Sequence, residues 1–451
     1  MLLIFIACQG SKIEDSANTA TQVGSLTAEA SISEEIPTVV NLDLTLSESG
    51  QIRVEAFFDD ESVQTKPVLL PSPGTVRVPI LGIPQQKDVE IEISAQTDTN
   101  SYQSTLNIRT GSFPISAPSM DVYPYRDDIS GYFLGTIFGP PERLVIFDMQ
   151  GRILWQIQQF DDNHGGIDSR LSQDKKSIYF NRFSKDKNVD GGHIHELALD
   201  GTPIRQIETP MAHHTFTELP DGTLTYIALD PRDTEMFGPV CGDKIVEISP
   251  DGSQSTIFST WGNLTLFESE YFDSTFYPQG HDWTHTNFIS YNAESESYWL
   301  SMASADIVLE IDRNGSILQT IGGHGSVDNE FQFQPGLSRF SYPHAPQMGE
   351  NDTLLLMSTV GDYSRALEYV IREDEKILQK VWEHGSDYQY NVRHLGEITD
   401  TQNGYRMVNW GSIGHLQLLD DSQHVVWEAK TPLGFWFAQF DYLPSLPGME
   451  P

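Results

Sequence analysis

Five histidines recur at equivalent places along this sequence. His164, His214, His285, His344 and His394 each stand just before a pair of short apolar strands joined by a tight turn. Imidazole titrates near neutral pH and can act as a nucleophile, a proton donor or a proton acceptor. If the fold brings several of these rings together, the sequence predicts a site for group transfer or acid–base chemistry.

A repeated unit must position these histidines. Its clearest part is an apolar strand, a turn and a second apolar strand, and it occurs six times at separations of 47 to 63 residues. The turns are centred on Gly151, Gly201, Gly252, Gly315, Glu375 and Ser422. Four strands in a unit of about 50 residues are typical of a β-propeller blade. The sequence therefore predicts an all-β protein with a six-bladed β-propeller over residues 117–451.

The propeller prediction places the histidines in one space. The innermost strand of every blade lines the axial channel, so we expect His214, His285 and His344 to converge there. Two other interpretations stay open: each ring could simply satisfy neighbouring backbone groups, or imidazoles could bind a metal. His281 and His285 have the spacing of one helix face, but their segment has the pattern of a loop entering a strand. We therefore predict no metal.

The segment before the propeller has a different pattern. Residues 36–116 contain five short stretches in which apolar and polar residues alternate, separated by polar turns. This spacing favours a small N-terminal β-sandwich. Because the segment lacks His and Cys, we predict that it has a structural role or an oligomerisation role.

The N-terminus predicts export. An apolar run, MLLIFIA, leads to Cys8, as at the end of a bacterial lipoprotein signal. We predict a signal remnant at residues 1–8 with lipid on Cys8, and a flexible tether at residues 9–35. The expected location is the periplasm or the cell surface, with the lipid anchor as the only membrane contact. The alternative is an ordinary apolar terminus with a chance cysteine.

The composition narrows the range of partners. Asp and Glu total 64 against 27 Lys and Arg, so the formal net charge is −37. A surface this negative repels phosphate backbones, and we predict no nucleic-acid partner. The two cysteines are too few for a disulfide scaffold or a Cys-rich zinc site.

Several blocks of the sequence, taken in order, resemble the bacterial arylsulfotransferases that use aryl sulfates as donors. The blocks are HHTFTELPDG, DWTHTNFISYN, YPHAPQ, SRALEY, VWEHG, NWGS and VVWE. The resemblance implies a β-sandwich followed by a six-bladed propeller, and a location outside the cytoplasm. It also implies an aryl sulfate donor, a phenol acceptor and no cofactor, and it is compatible with a homodimer.

The resemblance assigns roles to individual residues. His344, in YPHAPQ, matches the histidine that takes the sulfuryl group as a transient sulfohistidine. His285 and Asn287, in THTN, match the pair that contacts the sulfuryl group and the leaving or attacking oxygen. His214 matches a further channel histidine. In this scheme His285 exchanges a proton with the phenol, and Asn287 and His214 donate hydrogen bonds to the sulfuryl oxygens.

One feature of the family is missing. The family carries an arginine shortly after the His-x-Asn block, and Ala303 stands at that place. A cation is expected there because the transferred group carries charge on three oxygens. Arg339 is a candidate substrate-binding replacement, although a plain surface charge is the simpler interpretation.

Two competing functions follow from this departure. The first is a non-catalytic propeller lipoprotein that binds a ligand or partner at the channel mouth. The second is an enzyme of the same fold with a different donor or acceptor. Ala303 and the negative net charge, which opposes an anionic donor at long range, favour the first.

Overall fold

The computed structural model describes most of the chain. The described residues are 26–158, 164–166, 168–184, 191–268, 272–273, 276–323, 330–385, 390–392, 394–401 and 403–451. Cys8, the predicted signal remnant and residues 9–25 of the predicted tether lie outside them. The described part contains strands and three short 3-10 helices, at Ala303–Ala305, Gly336–Ser338 and Gly411–Ile413. In that part, no helix has the length and hydrophobicity needed to span a bilayer.

The first strands show alternating burial, as a sheet with one covered face requires. They are β1 (Leu26–Ile32), β2 (Val40–Leu46), β3 (Gly50–Phe58), β4 (Glu61–Gln64), β5 (Val68–Leu70), β6 (Gly74–Ile80), β7 (Asp88–Thr97) and β8 (Ser101–Arg109). One sheet has the order β1-β2-β6, and the other has the order β4-β3-β7-β8 with β5 also paired to β3. Leu42 of the first sheet and Ile91 of the second belong to one hydrophobic cluster.

The structure corrects the end of the predicted tether. Residues 26–32 form β1 and pair with β2 along their whole length. Leu26 and Ala28 are buried, whereas Thr27 and Glu29 are exposed, so the segment alternates as a strand does. The segment was predicted to be a solvated tether because it is rich in Ser, Thr, Ala and Glu. That composition makes the alternation of buried and exposed residues difficult to recognise in the sequence.

The remaining strands belong to a second series of sheets. Those up to residue 282 are β9 (Asp121–Pro124), β10 (Tyr132–Phe138), β11 (Arg143–Asp148), β12 (Ile153–Gln158), β13 (His164–Gly165), β14 (Ser169–Leu171), β15 (Ser177–Ser184), β16 (His193–Ala198), β17 (Pro203–Glu208), β18 (Ala212–Glu218), β19 (Leu224–Thr234), β20 (Gly238–Ile248), β21 (Gln254–Ser259) and β22 (His281–Asp282). The others are β23 (Thr286–Asn292), β24 (Ser297–Met302), β25 (Ile307–Asp312), β26 (Ile317–Gly322), β27 (Gln332–Gln334), β28 (Pro343–Met348), β29 (Thr353–Val360), β30 (Tyr363–Arg372), β31 (Ile377–His384), β32 (Gly396–Asp400), β33 (Arg406–Trp410), β34 (His415–Leu419), β35 (Val425–Lys430) and β36 (Trp436–Leu443).

Within the described residues these strands form six sheets, which we name blades 1 to 6. Blade 1 has the order β36-β10-β11-β12, and blade 2 contains β13 to β17. Blade 3 is β18-β19-β20-β21 with β22 beside β20, and blade 4 is β23-β24-β25-β26. Blade 5 is β28-β29-β30-β31-β27, and blade 6 is β32-β33-β34-β35-β9.

The inner strands contact one another in succession. β18 contacts β23, β23 contacts β28, β28 contacts β32, and β32 contacts β36, which also contacts β14 of blade 2. The last strand, β36, pairs with β10 of blade 1, so backbone hydrogen bonds join the two ends of this part of the chain. Closure of this kind protects sheet edges. The predicted all-β class is confirmed, and the sheets follow one another as propeller blades do.

The N-terminal sheets pack on the first two blades. Their hydrophobic cluster includes Trp155 of blade 1 and Ile178 of blade 2. Arg152 of blade 1 pairs with Glu61 at 2.5 Å. The first sheets and the propeller therefore share a core.

Candidate active site

The structure brings the three predicted catalytic histidines together. His214 lies in β18, His285 immediately precedes β23 and His344 lies in β28, so they belong to neighbouring inner strands. The ring centroids of His214 and His285 are 5.0 Å apart. The charge of His285 influences the pKa of His344, so these two rings are within electrostatic range of each other.

Irregular backbone marks all three positions. The pairing register shifts inside the β18–β19, β23–β24 and β28–β29 pairs. His214, His285 and Ala345, which follows His344, have positive φ angles of 55°, 48° and 52°. Bulges and left-handed residues re-aim side chains and cost about 1–3 kcal/mol each. Both irregularities therefore occur where the inner strands of three neighbouring blades begin, at the residues that carry or adjoin the three histidines.

His344 is buried, and a hydrogen bond fixes its ring. Its Nδ1–H donates to the backbone oxygen of Gly396 in blade 6 at 2.7 Å, so Nε2 is the unprotonated nitrogen of the neutral ring. Burial lowers the pKa of His344 to about 4, against the effect of this hydrogen bond and with help from His285 and His394. The imidazole is therefore neutral near pH 7, and Nε2 can act as a nucleophile.

His285 is paired with a buried carboxylate. Its Nδ1 lies 2.7 Å from Oδ2 of Asp282. Because the carboxylate accepts, Nδ1 carries the proton and Nε2 is left to exchange one. The carboxylate also stabilises the imidazolium form. Sequence reasoning did not identify Asp282, although its place three residues before His285 is a usable signal.

His281 does not join this pair. Its ring stacks on Phe272 with centroids 4.7 Å apart, and its Nδ1 lies 3.3 Å from Oδ1 of Asp273. Among the residues that the structure describes, no three His, Cys, Asp or Glu side chains are grouped to hold a metal ion.

Asn287 connects blade 4 to the strand that carries His344. Its Nδ2 donates to the backbone oxygen of Pro343 at 3.2 Å, and its Oδ1 accepts from Ser301 Oγ. The amide nitrogen carries a second hydrogen. Since Pro343 directly precedes His344, the Asn287 amide holds the backbone beside His344.

His214 is linked to a second carboxylate through its neighbour. The Nδ1 atoms of His213 and His214 are 2.8 Å apart, and Nε2 of His213 lies 3.1 Å from Oδ1 of Asp243. Burial, followed by the charges of His285 and His213, lowers the pKa of His214 well below 6.5. Sequence reasoning missed the role of Asp243 because only the fold brings β20 beside these rings.

The Arg339 side chain contacts two residues outside the histidine cluster. Its side chain donates to the backbone oxygen of Gly323 and lies over the ring of Phe333, 5.8 Å from the centroid. These contacts favour the interpretation as a surface charge. Ala303, in contrast, adjoins the site, because its N–H donates to the backbone oxygen of His285 at 3.0 Å. The position of the missing arginine is therefore next to the histidine cluster.

The remaining recurring histidines are His394 and His164. His394 is exposed at the entry to blade 6, and its charge contributes to the lowered pKa of both His344 and His214. The backbone of His164 pairs in β13, and its side chain lies outside the described part of the chain.

A cavity of about 610 Å³ lies farther along the inner strands, and none of the three histidines lines it. Phe288 lines it, and the ring of Phe288 lies 6.0 Å from that of His344. Glu397 and Gln439 line it as well. Burial raises the pKa of Glu397 to about 8, so this carboxyl is protonated near pH 7.

These features define an all-β protein of the propeller type with a buried cluster of imidazoles on its inner strands. The model of one family, described as Arylsulfotransferase (ASST), matches residues 132–338. This segment contains His214, His285 and Asn287 and ends shortly before His344. The predicted resemblance to the arylsulfotransferase family is confirmed over it.

Similar proteins beyond this family are distant. None of the curated proteins matches the chain at a significant level. A protein of unknown function from Bacteroides caccae is 14% identical, with a TM-score of 0.46, over 70% of this chain and 100% of its own. A streptogramin B lyase is 13% identical, with a TM-score of 0.41, over 72% and 100%. Virginiamycin B lyase from Staphylococcus aureus is 15% identical, with a TM-score of 0.39, over 72% and 98%. Structural similarity at these TM-scores does not indicate a shared function.

Proposed function

We propose that this protein transfers a sulfuryl group from an aryl sulfate to a phenol through a sulfohistidine at His344. The family match supports aryl sulfotransfer. The observation that carries the proposal for this chain is the state of His344: a buried, neutral ring whose Nδ1–H is held by Gly396. That arrangement leaves the Nε2 lone pair free to attack sulfur.

The first half of the reaction uses His285 as an acid. Nε2 of His344 attacks sulfur, and the bond between sulfur and the phenolic oxygen breaks. Protonated His285 gives its Nε2 proton to the leaving oxygen, so a phenol departs. Asp282, 2.7 Å from Nδ1, stabilises the imidazolium before the transfer and holds the ring afterwards.

The second half reverses these roles. The acceptor phenol gives its proton to Nε2 of His285, its oxygen attacks sulfur, and the bond between sulfur and His344 breaks. Asn287 and His214 donate hydrogen bonds to the sulfuryl oxygens throughout. The enzyme returns to its starting protonation state, and the kinetics are ping-pong.

Steady-state kinetics test the proposal. With p-nitrophenyl sulfate as donor and a phenol as acceptor, we expect nitrophenol release with parallel double-reciprocal plots. His344→Ala should abolish the release, whereas His281→Ala, which removes an imidazole outside the cluster, should leave it unchanged. Nitrophenol release that survives His344→Ala would overturn the proposal.

The competing function, a non-catalytic propeller that binds a ligand or partner, rests on Ala303 and net charge alone. The same assay distinguishes the two functions, because a wild-type protein that only binds a ligand would release no nitrophenol from p-nitrophenyl sulfate. The lipid anchor at Cys8, the periplasmic or cell-surface location and the homodimer stay predictions.

A further inference from the structure

The cavity of about 610 Å³ lies beyond the histidine cluster, farther along the inner strands. Inner strands of blades 1, 2, 4, 5 and 6 line it, through Asp441, Arg170, Ser290, Gln347 and Thr399 respectively. Its volume is within the range of small-molecule sites, about 300–1,000 Å³. None of the residues that line it takes part in the proposed reaction, so that reaction does not explain the cavity.

Gln439 in β36 is a buried side chain without a partner. It lines the cavity and is only 3% exposed. Among the described residues, neither its Oε1 nor its Nε2 makes a hydrogen bond. Two polar neighbours in the same wall have partners. Ser290 Oγ donates to the backbone oxygen of Pro346 at 2.7 Å, and Gln347 Nε2 donates to that of Ile398. Because buried amides are nearly always hydrogen-bonded, Gln439 indicates a ligand that supplies a partner.

The wall of the cavity lacks positive charge. Three carboxyl groups lie within electrostatic range of one another and of the Arg170 guanidinium: those of Asp168, Glu397 and Asp441. Arg170 is paired with Asp168, whose Oδ2 accepts from its Nη2 at 2.7 Å. Burial raises the pKa of Glu397 to about 8 and that of Asp441 to about 6. A positively charged ligand group would stabilise both carboxylates.

An ammonium group fits this wall better than a metal ion. The carboxyl groups of the described residues are not grouped to hold a metal. An ammonium group donates three hydrogen bonds. Gln439 and Asp441, two residues apart on β36, both line the cavity, so an amide oxygen and a carboxylate can accept from one ammonium group.

The mouth of the cavity has the opposite charge. Three exposed lysines line it: Lys66, Lys175 and Lys176. Of the acids there, Asp174 lies 3.5 Å from Lys176, and Asp400 lies 2.8 Å from Arg406. The mouth is therefore positive overall, although the chain carries a formal net charge of −37.

We propose that this cavity binds a small zwitterion of the amino acid class, with its ammonium group among Gln439, Asp441 and Glu397 and its carboxylate toward the lysines of the mouth. The proposal does not depend on the proposed function, because the site uses none of the three histidines.

Calorimetric titration of the full chain at pH 7 with three probes of equal carbon number tests the proposal. 4-Aminobutyrate carries both charges, butylammonium only the positive charge and butyrate only the negative charge. We expect 4-aminobutyrate to bind most tightly, butylammonium to bind more weakly and butyrate not to bind. No binding of 4-aminobutyrate, or binding of either singly charged probe that is as tight, would overturn the proposal.

Variants locate the probe. Asp441→Asn and Gln439→Leu should each weaken binding of 4-aminobutyrate by about 10-fold, the loss expected for one hydrogen bond to a charged group. Glu294→Gln, at an exposed carboxylate, is the matched control for Asp441→Asn and should bind as wild type does. His344→Ala should also bind as wild type does. Unchanged affinity in Asp441→Asn, or lost affinity in His344→Ala, would contradict the assigned site.

Proton release provides a test that needs no variant. A positive charge beside Glu397 should lower its pKa, so binding of 4-aminobutyrate at pH 7 should release protons to the buffer. The heat of binding, compared in two buffers of different ionisation enthalpy, measures this release. Binding without proton release would place the ammonium group away from Glu397 and would overturn the proposal.

Discussion

At the scale of single residues, each predicted catalytic histidine has a different partner at Nδ1. His344 donates to a backbone oxygen, His285 faces a carboxylate and His214 faces another imidazole. A backbone oxygen fixes a tautomer without adding charge, which suits a neutral nucleophile. A carboxylate stabilises the imidazolium, which suits an acid–base residue. The partners therefore explain why similar rings can serve different roles.

Asp282→Asn tests the acid–base role of His285. Loss of the charge beside Nδ1 should destabilise the imidazolium and reduce kcat by about 10²–10⁴-fold. The reduction should be larger for phenyl sulfate than for p-nitrophenyl sulfate, because the poorer leaving group depends more on a proton. Rates for both donors, measured side by side, check this. An equal loss for both would show that Asp282 does not act through proton transfer.

The sequence was sufficient to predict the histidines but not their partners. Repetition put His214, His285 and His344 at equivalent places, and equivalence in a ring implies convergence. The repeat pattern does not predict the contact between Asp243 and His213. That contact joins a middle strand and the inner strand of blade 3, and only the fold brings these two strands together. Arg339 was proposed from its nearness in sequence to His344, and the fold directs its side chain to Gly323 instead.

At the scale of strands, a buried acid in blade 6 contacts the strand that completes the ring. Glu397 in β32 accepts from Asn409 Nδ2 in β33 at 2.9 Å and from the Phe440 N–H in β36 at 2.7 Å. It therefore joins the last blade to the strand that completes the first. Burial raises its pKa to about 8, so the neutral acid is the form that the fold accommodates.

Glu397→Gln should change how stability depends on pH. In the unfolded chain this carboxyl loses its proton near pH 4.5, whereas in the folded protein it keeps the proton up to about pH 8. Between these values the wild-type free energy of unfolding falls as pH rises, by at most about 1.4 kcal/mol per unit.

The amide of this variant keeps the acceptor and does not titrate. The Tm difference between Glu397→Gln and wild type should therefore grow from pH 5 to pH 8, as measured by calorimetry. Glu294→Gln, at an exposed carboxylate, is the control and should show no such trend. A constant difference for Glu397→Gln would contradict the buried neutral acid.

The period of the repeats predicted the strands more accurately than it predicted the residues at which the turns between them occur. The predicted turn residues Gly151 and Gly315 have positive φ angles of 74° and 80°. In the last two repeats, the left-handed residues are Lys376 and Gln423, one place after the predicted centres. Without glycine, nothing local marks which residue of a turn adopts that conformation. β1 was missed for a related reason, since its polar composition concealed its alternation.

At the scale of the whole molecule, charge opposes the proposed donor. The chain carries a formal net charge of −37, and an aryl sulfate is an anion, so long-range repulsion lowers the local concentration of the donor. Salt screens such repulsion over about 10 Å at 0.1 M. The neutral phenol does not experience it.

Ionic strength should therefore separate the two substrates. As salt rises from about 0.02 M to about 0.5 M, KM for the aryl sulfate should decrease, while KM for the phenol should stay nearly constant. Initial rates at each salt concentration check this, and the phenol is the internal control. A donor KM that rises or does not change would show that a local positive potential at the channel mouth outweighs the net charge.

The most direct test of the account is the mass of the intact protein after brief exposure to an aryl sulfate without acceptor. Transfer of one sulfuryl group to a nucleophilic side chain adds about 80 Da. We expect this increase for the wild-type protein at neutral pH, with the group on His344 by peptide mapping, and its disappearance when phenol is added. His344→Ala should show no increase, and His281→Ala should show the full increase. An unmodified wild-type protein that still releases phenol from the donor, or an adduct on a residue other than His344, would contradict the central claim.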